Sequence, residues 1–208
     1  MLGTRRRLFE PVKQRLGAAL SRLGLPAWVF TLLGVLLALT SAGLYYHGQS
    51  GRAALVGCLA ALADFVDGAV ARRQNSQSPL GDYLDAIADR VVELSLLLAL
   101  AVDFAPVVCW AIAASMLVSY CKPRVALAIP ADDHDWPGVG DHADRLVLIL
   151  LAMALAALSK PAARWTLMGL SAVCAVGALQ RVIYGCGLIR KSHQAVDLTA
   201  QLDITAPG

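Results

Sequence analysis

Residues 64–89 read Asp64-Phe-Val-Asp67-Gly68-Ala-Val-Ala71-Arg72, then eight residues, then Gly81-Asp-Tyr-Leu-Asp85-Ala-Ile-Ala-Asp89. Asp64, Asp67, Asp85 and Asp89 all fall within otherwise apolar helical sequence. Asp64 and Asp67 are three apart, so they share a helix face that Ala71 continues one turn later. Gly81, Asp85 and Asp89 are spaced i, i+4, i+8 along the next helix. A charged side chain at the bilayer centre costs about 2.5–3.5 kcal/mol, so four uncompensated ones would cost on the order of 10 kcal/mol. Two adjacent helices with two carboxylates each predict one oxygen-only cage suited to hard divalent cations. Gly68 and Gly81 remove bulk where a ligand could approach the backbone. Spacing alone leaves two other readings open: buried ion pairs with Arg72, Arg73 and Arg90, or an ion or proton pathway through the membrane.

The flanking sequence supports a membrane setting. Of 208 residues, 58% are hydrophobic and 16% charged, against about 45–50% and about 25% in soluble domains. Six apolar segments are expected near 27–47, 52–72, 80–102, 106–129, 144–159 and 165–188, most of them near the roughly 20 residues needed to span hydrocarbon. The fold class is therefore an all-α membrane protein with six transmembrane helices. Residues 1–25 place Leu8, Phe9, Val12, Leu16, Leu20 and Leu23 at helical spacing among Arg5, Arg6, Arg7, Lys13, Arg15 and Arg22, which predicts a juxtamembrane amphipathic helix. The expected organisation is 1–25 interfacial helix, 26–190 six-helix bundle and 191–208 a polar, poorly ordered tail. No cleavable signal peptide is expected.

The net charge is only +3, but its distribution orients the bundle. With the N-terminus cytoplasmic, that side gains the basic first helix, Arg72, Arg73, Lys122, Arg124, Arg145, Arg181, Arg190 and Lys191. The other side receives only Arg52, Lys160 and Arg164. Both termini are then inside, and the polar site opens to the cytoplasm of a multi-pass cell-membrane protein. The five cysteines (58, 109, 121, 174, 186) lack CxxC spacing and read as packed free thiols. Asp132-Asp133-His134-Asp135 reads as a connecting loop. His47, His134, His142 and His193 form no recognisable triad.

The pattern DxxDGxxAR(8)GxxxDxxxD fills eight fixed positions over 26 residues. It resembles the signature of the CDP-alcohol phosphotransferase (class I CDP-alcohol phosphatidyltransferase) family. Pro26, Thr31 and Gly34 echo that family's first-segment entry. The resemblance implies two Mg²⁺ or Mn²⁺ ions per site, with Asp64, Asp67 and Asp85 as ligands and Asp89 as ligand and general base. It implies a CDP pocket lined by Thr31, Asp67, Gly68, Ala71, Arg72 and Gly81, and a homodimer. In this chemistry a hydroxyl attacks the phosphorus nearest the lipid and CMP departs.

A basic set bears on the acceptor. Lys122 and Arg124 close the fourth segment, Arg145 begins the fifth, and Arg181 lies in the sixth. Spacing allows either a phosphate clamp or charges reaching for headgroups. Phosphatidylinositol phosphate synthases and their archaetidyl counterparts are similar at these four positions, which implies acceptor-phosphate binding and inositol phosphate as acceptor. Pro123 and Asp141-His142-Ala143-Asp144 depart from that pattern, and glycerol phosphate is the alternative acceptor. The expected partners are CDP-diacylglycerol or CDP-archaeol, inositol phosphate and the lipid bilayer, with no nucleic acid.

Overall fold

The computed structural model describes residues 24–74, 78–129, 136 and 139–205, with side chains described as far as residue 194. The amphipathic helix expected over 1–25 and the Asp132–Asp135 loop lie outside the described residues, save for positions 24 and 25. The described residues form five helical elements: α1 (Ala27–Tyr46), α2 (Ser50–Arg73), α3 (Pro79–Ala126), α4 (His142–Ala156) and α5 (Lys160–Thr205). No strand occurs among the described residues. Four of the helices, α1, α2, α3 and α5, are long and apolar enough to cross a membrane. At 15 residues, α4 is about 22 Å long and falls short of the roughly 30 Å core.

Each boundary has a local cause. Gly48, at φ +76°, turns the chain after α1, and its N–H bonds Tyr45 O while that of Gln49 bonds Leu44 O. Those contacts satisfy carbonyls that the helix end leaves open. Ser78 caps α3 by accepting from Gly81 N at 3.0 Å, with Pro79 in the first turn, a position where a missing N–H costs nothing.

The apolar break expected at 103–106 is a reversal inside α3. Phe104 has φ −134° and ψ 31°, and Pro106 offers no N–H to the preceding turn. Arg90 and Ser119 are 29 residues apart, about 43 Å along a straight helix, yet Arg90 Nη1 lies 2.6 Å from Ser119 Oγ. Residues 79–103 and 105–126 therefore fold back side by side. At the reversal, Asp103 accepts from Tyr45 Oη and Lys160 Nζ, which ties the bend of α3 to the end of α1 and the start of α5. Helix α5 starts at Lys160 and stays helical to Thr205, past the boundary at 190 expected for a tail.

Small residues let α1 and α2 approach closely. A Cβ on Gly34 would meet Ala60 O at 3.5 Å and Ala63 Cβ at 3.6 Å, and Ser41 Oγ donates to Ala53 O across the same seam. The shared core contains Leu96, Leu97, Leu100, Val108, Ile149, Met153, Leu167 and Leu170. Trp28, Leu36, Leu55, Trp110 and Trp165 face outward, as expected of a surface solvated by lipid rather than water. Among the five free cysteines only Cys174 is buried, so the expectation that the thiols are packed holds for one position.

Candidate metal and transfer site

Helix α2 carries Asp64 and Asp67, and the first limb of α3 carries Asp85 and Asp89. Packing brings all four to one end of the bundle, opposite the Asp103 cluster. Ligand atoms of Asp64, Asp67 and Asp85 lie within 4.8 Å of one another, and so do those of Asp64, Asp89 and His142. Asp64 belongs to both sets. Two donor groups sharing one carboxylate are the arrangement that a pair of neighbouring cations needs, so the residues present fit a two-ion centre.

Asp67, at 4% exposure, is the most constrained of the four. Thr31 Oγ1 of α1 donates to its Oδ2 at 2.8 Å, and Gly68 N donates to its Oδ1. Thr31, expected to line the CDP pocket, is thus placed as a support for a carboxylate. Asp64 and Asp89 are half-buried, while Asp85, Gly81 and Arg72 are exposed at the mouth. The Arg72 side chain passes over Gly68, where a Cβ would stand 3.9 Å from its Nη1. Gly68, Ala71, Arg72 and Gly81, the residues expected to line a CDP pocket, therefore share the end of the bundle that holds the aspartates.

Behind the aspartates lies a polar layer that spacing did not reveal. Glu93 is fully buried, and Arg145 is 2% exposed. Arg145 Nε and Nη2 grip the two Glu93 oxygens at 2.8 and 2.9 Å, Nη1 donates to Gly140 O at 2.7 Å, and Nη2 also reaches Ser119 Oγ at 3.3 Å. Arg90 Nη1 donates to Glu93 Oε2 at 2.8 Å, and its Nη2 lies 3.7 Å from Asp89 Oδ2. Of the three arginines that spacing could have paired with the aspartates, Arg90 makes this contact. A Glu93 signal was present in the sequence: it extends the stripe 81, 85, 89 by one further step of four.

The four basic residues separate by position. Arg181 Nη2 donates to Asp141 Oδ1 at 2.6 Å and Nη1 to Val118 O at 2.9 Å. Its Nε is buried without a hydrogen-bond partner among the described residues. Arg145 and Arg181 thus flank the Gly140–Asp141 corner, although Arg145 sits inside the protein with its guanidinium engaged. Lys122 and Arg124 are exposed on the last turns of α3. His142, which fits no triad in the sequence, is brought by the first turn of α4 against Asp64 and Asp89, with Nε2 4.0 Å from Asp64 Oδ2 and 3.7 Å from Asp89 Oδ1.

A family model described as CDP-alcohol phosphatidyltransferase matches residues 24–179, most of the chain and all four aspartates. The chain belongs to that family. Membership makes it a transferase, and its long apolar helices are those of a membrane protein. Among similar proteins, the phosphatidylinositol phosphate synthase of Mycolicibacterium smegmatis is 28% identical over 204 residues, covering 92% of this chain and 90% of that one. The archaetidylinositol phosphate synthase of Pyrococcus horikoshii is 28% identical over 144 residues, covering 67% and 74%. The fold is also that of the Mycobacterium tuberculosis phosphatidylinositol phosphate synthase. Its structure with CDP-DAG matches at a TM-score of 0.70 and 23% identity, over 84% of this chain and 94% of that one. Its complex with manganese and citrate matches at 0.71 and 22% identity, over 83% and 88%.

Proposed function

We propose that this family member transfers a phosphatidyl- or archaetidyl-type group from a CDP-lipid to inositol phosphate, releasing CMP. The carrying observation is the convergence of four carboxylates from two helices into two donor sets that share Asp64. Relatives named as inositol phosphate synthases of both lipid types support the acceptor. So does the buried, unpartnered Nε of Arg181, a donor that an anion would satisfy.

Asp64, Asp67, Asp85 and Asp89 would hold two divalent ions, Mg²⁺ or Mn²⁺. Bound there, these neutralise the diphosphate and the charge that gathers on departing CMP. The chain's own groups do the rest. Thr31 and Gly68 N fix the orientation of Asp67, so its lone pairs need no rearrangement on binding. Gly68, Ala71, Arg72 and Gly81 offer the diphosphate backbone access and one guanidinium at the mouth. Asp89 accepts the proton of the attacking hydroxyl, a role that requires hydrogen-bond reach to it. The new bond joins that oxygen to the lipid-side phosphorus, and the bond from this phosphorus to the oxygen of CMP breaks. Lys122, Arg124 and Arg181 hold the acceptor's phosphate, and Arg145 supports that subsite from within through Gly140.

The reading includes six membrane passes, two of them supplied by the folded α3 and one by the short α4. It also includes an interfacial N-terminal helix, both termini cytoplasmic and a homodimer. The discriminating experiment measures CMP release from CDP-diacylglycerol and CDP-archaeol by purified protein against inositol phosphate, inositol and glycerol phosphate. Inositol phosphate should be used best. Arg181→Gln should raise its KM by roughly 10- to 150-fold, the value of one charge-assisted contact, with the CDP-lipid KM little changed. Equal use of unphosphorylated inositol would remove the phosphate clamp, and preference for glycerol phosphate would replace the acceptor.

A further inference from the structure

His142 stands where an orienting residue or a ligand would stand, and its surroundings distinguish the two. It is the first residue of α4, with a side chain 19% exposed. Its Nε2 is buried and has no hydrogen-bond partner among the described residues. The two nearest acceptors, Asp89 Oδ1 at 3.7 Å and Asp64 Oδ2 at 4.0 Å, are too distant for a hydrogen bond. They are not too distant for a shared cation. Donors held at about 2.1 Å from one ion can stand up to about 4.2 Å apart, and octahedral neighbours about 3 Å apart.

The other ring nitrogen is supported from behind. Nδ1 lies 3.1 Å from Arg90 Nη2 and 3.4 Å from Glu93 Oε2. These contacts require opposite tautomers, since arginine only donates and an ionised carboxylate only accepts. In the tautomer with the proton on Nδ1, Glu93 accepts it, Arg90 Nη2 must turn from its 3.1 Å approach, and Nε2 presents its lone pair to Asp64 and Asp89. A carboxylate behind a ring nitrogen is the usual support of a ligating histidine. Arg90 keeps Glu93 Oε2 and Ser119 Oγ as acceptors through Nη1.

We propose that His142 is a nitrogen ligand of one of the two cations, completing the donor set that Asp64 and Asp89 begin. The inference rests on the two-ion reading above. An imidazole suits Fe²⁺ or Zn²⁺ best and is accepted by Mn²⁺ more readily than by Mg²⁺, which keeps an all-oxygen shell. His142 thereby makes the two positions unequal: the Asp64, Asp67 and Asp85 set is an oxygen site, and the other is a mixed site that favours a first-row transition ion, Mn²⁺ included, over Mg²⁺.

The test is pulsed EPR of the Mn²⁺-loaded, lipid-free protein, with no CDP compound present to contribute nitrogen. A ¹⁴N coupling to Mn²⁺ is expected, converted to the ¹⁵N pattern on ¹⁵N-histidine labelling and absent in His142→Gln. Mn²⁺ titration should show one of two sites weakened at least about 10-fold in that variant. His142→Asp should restore binding but let Mg²⁺ displace Mn²⁺ at lower concentration. Mn²⁺ bound in wild type without histidine nitrogen coupling would overturn the assignment and leave the two-ion reading standing. It would make His142 an ion-pair partner of the two aspartates. Failure to bind Mn²⁺ at all would overturn both. A wild-type spectrum without histidine nitrogen overturns the assignment whether or not the variants fold, and loss of the coupling in His142→Gln places the nitrogen at His142 rather than at His47, His134 or His193.

Discussion

Exchanging Glu93 for glutamine changes almost no volume, and for that reason it isolates the electrostatics of the layer behind the aspartates. In the native protein Oε1 accepts from Arg145 Nε, and Oε2 accepts from Arg145 Nη2 and Arg90 Nη1, at 2.8–2.9 Å. Whichever oxygen becomes the amide NH₂, a donor faces a donor: Arg145 Nε at Oε1, or Arg145 Nη2 and Arg90 Nη1 at Oε2, where His142 Nδ1 also approaches. The glutamine also removes the only acidic charge that touches the Arg145 guanidinium among the described contacts, with Arg145 2% exposed. One charge-assisted bond is worth about 1.5–3 kcal/mol, and breaking a buried pair from one side costs about 3–5 kcal/mol. The expected destabilisation is therefore about 3–5 kcal/mol, read by SDS-induced unfolding in mixed micelles followed by circular dichroism. Arg145→Met should cost a similar amount. Glu93→Leu with Arg145→Met should cost at least about 2 kcal/mol less than the sum of Glu93→Leu and Arg145→Met made singly, because neither member of this pair is then orphaned. A loss under about 1 kcal/mol for Glu93→Gln, or strictly additive single and double changes, would refute the reasoning.

Three further outcomes follow from the same geometry. Asp64→Asn, Asp67→Asn, Asp85→Asn and Asp89→Asn should each abolish CMP release while the protein still inserts. Chelator should silence the wild type and Mg²⁺ or Mn²⁺ restore it, so a chelator-insensitive reaction would count against a metal-dependent transfer. Thr31→Val keeps the shape but loses the 2.8 Å bond to Asp67, and should lower kcat/KM by roughly 10- to 150-fold. An unchanged rate would make Thr31 a packing residue only. In a background freed of the native cysteines, a cysteine at His47 should react only from the outer face and one at Arg190 only from the cytoplasm. Reaction of both from one face would break the proposed topology.

Helical periodicity and the cost of charge in hydrocarbon were enough to read the central site from the chain alone. Asp64 and Asp67 must share a face at a spacing of three, as must Asp85 and Asp89 at four, whatever packs around them. Four carboxylates in apolar helices require compensation, so the chain alone pointed to a shared polar cluster, with a cation cage, buried ion pairs and an ion pathway all open. The same stripe ran on to Glu93, but a period identifies a face and not the partner opposite. Glu93 meets Arg145 across 52 residues and His142 across 49, and only the packing of α3 against α4 chooses those pairs. The reversal at Phe104 was visible as a Pro106 break, yet the registry that sets Arg90 beside Ser119 depends on how the two limbs pack. Arg145 shows the limit most clearly. Its position at the start of a segment suggested a group open to an incoming phosphate, and the fold turned it inward onto a buried carboxylate. Local sequence determines which side chains share a face, whereas the partner of a buried charge is decided by the long-range packing that removes it from water.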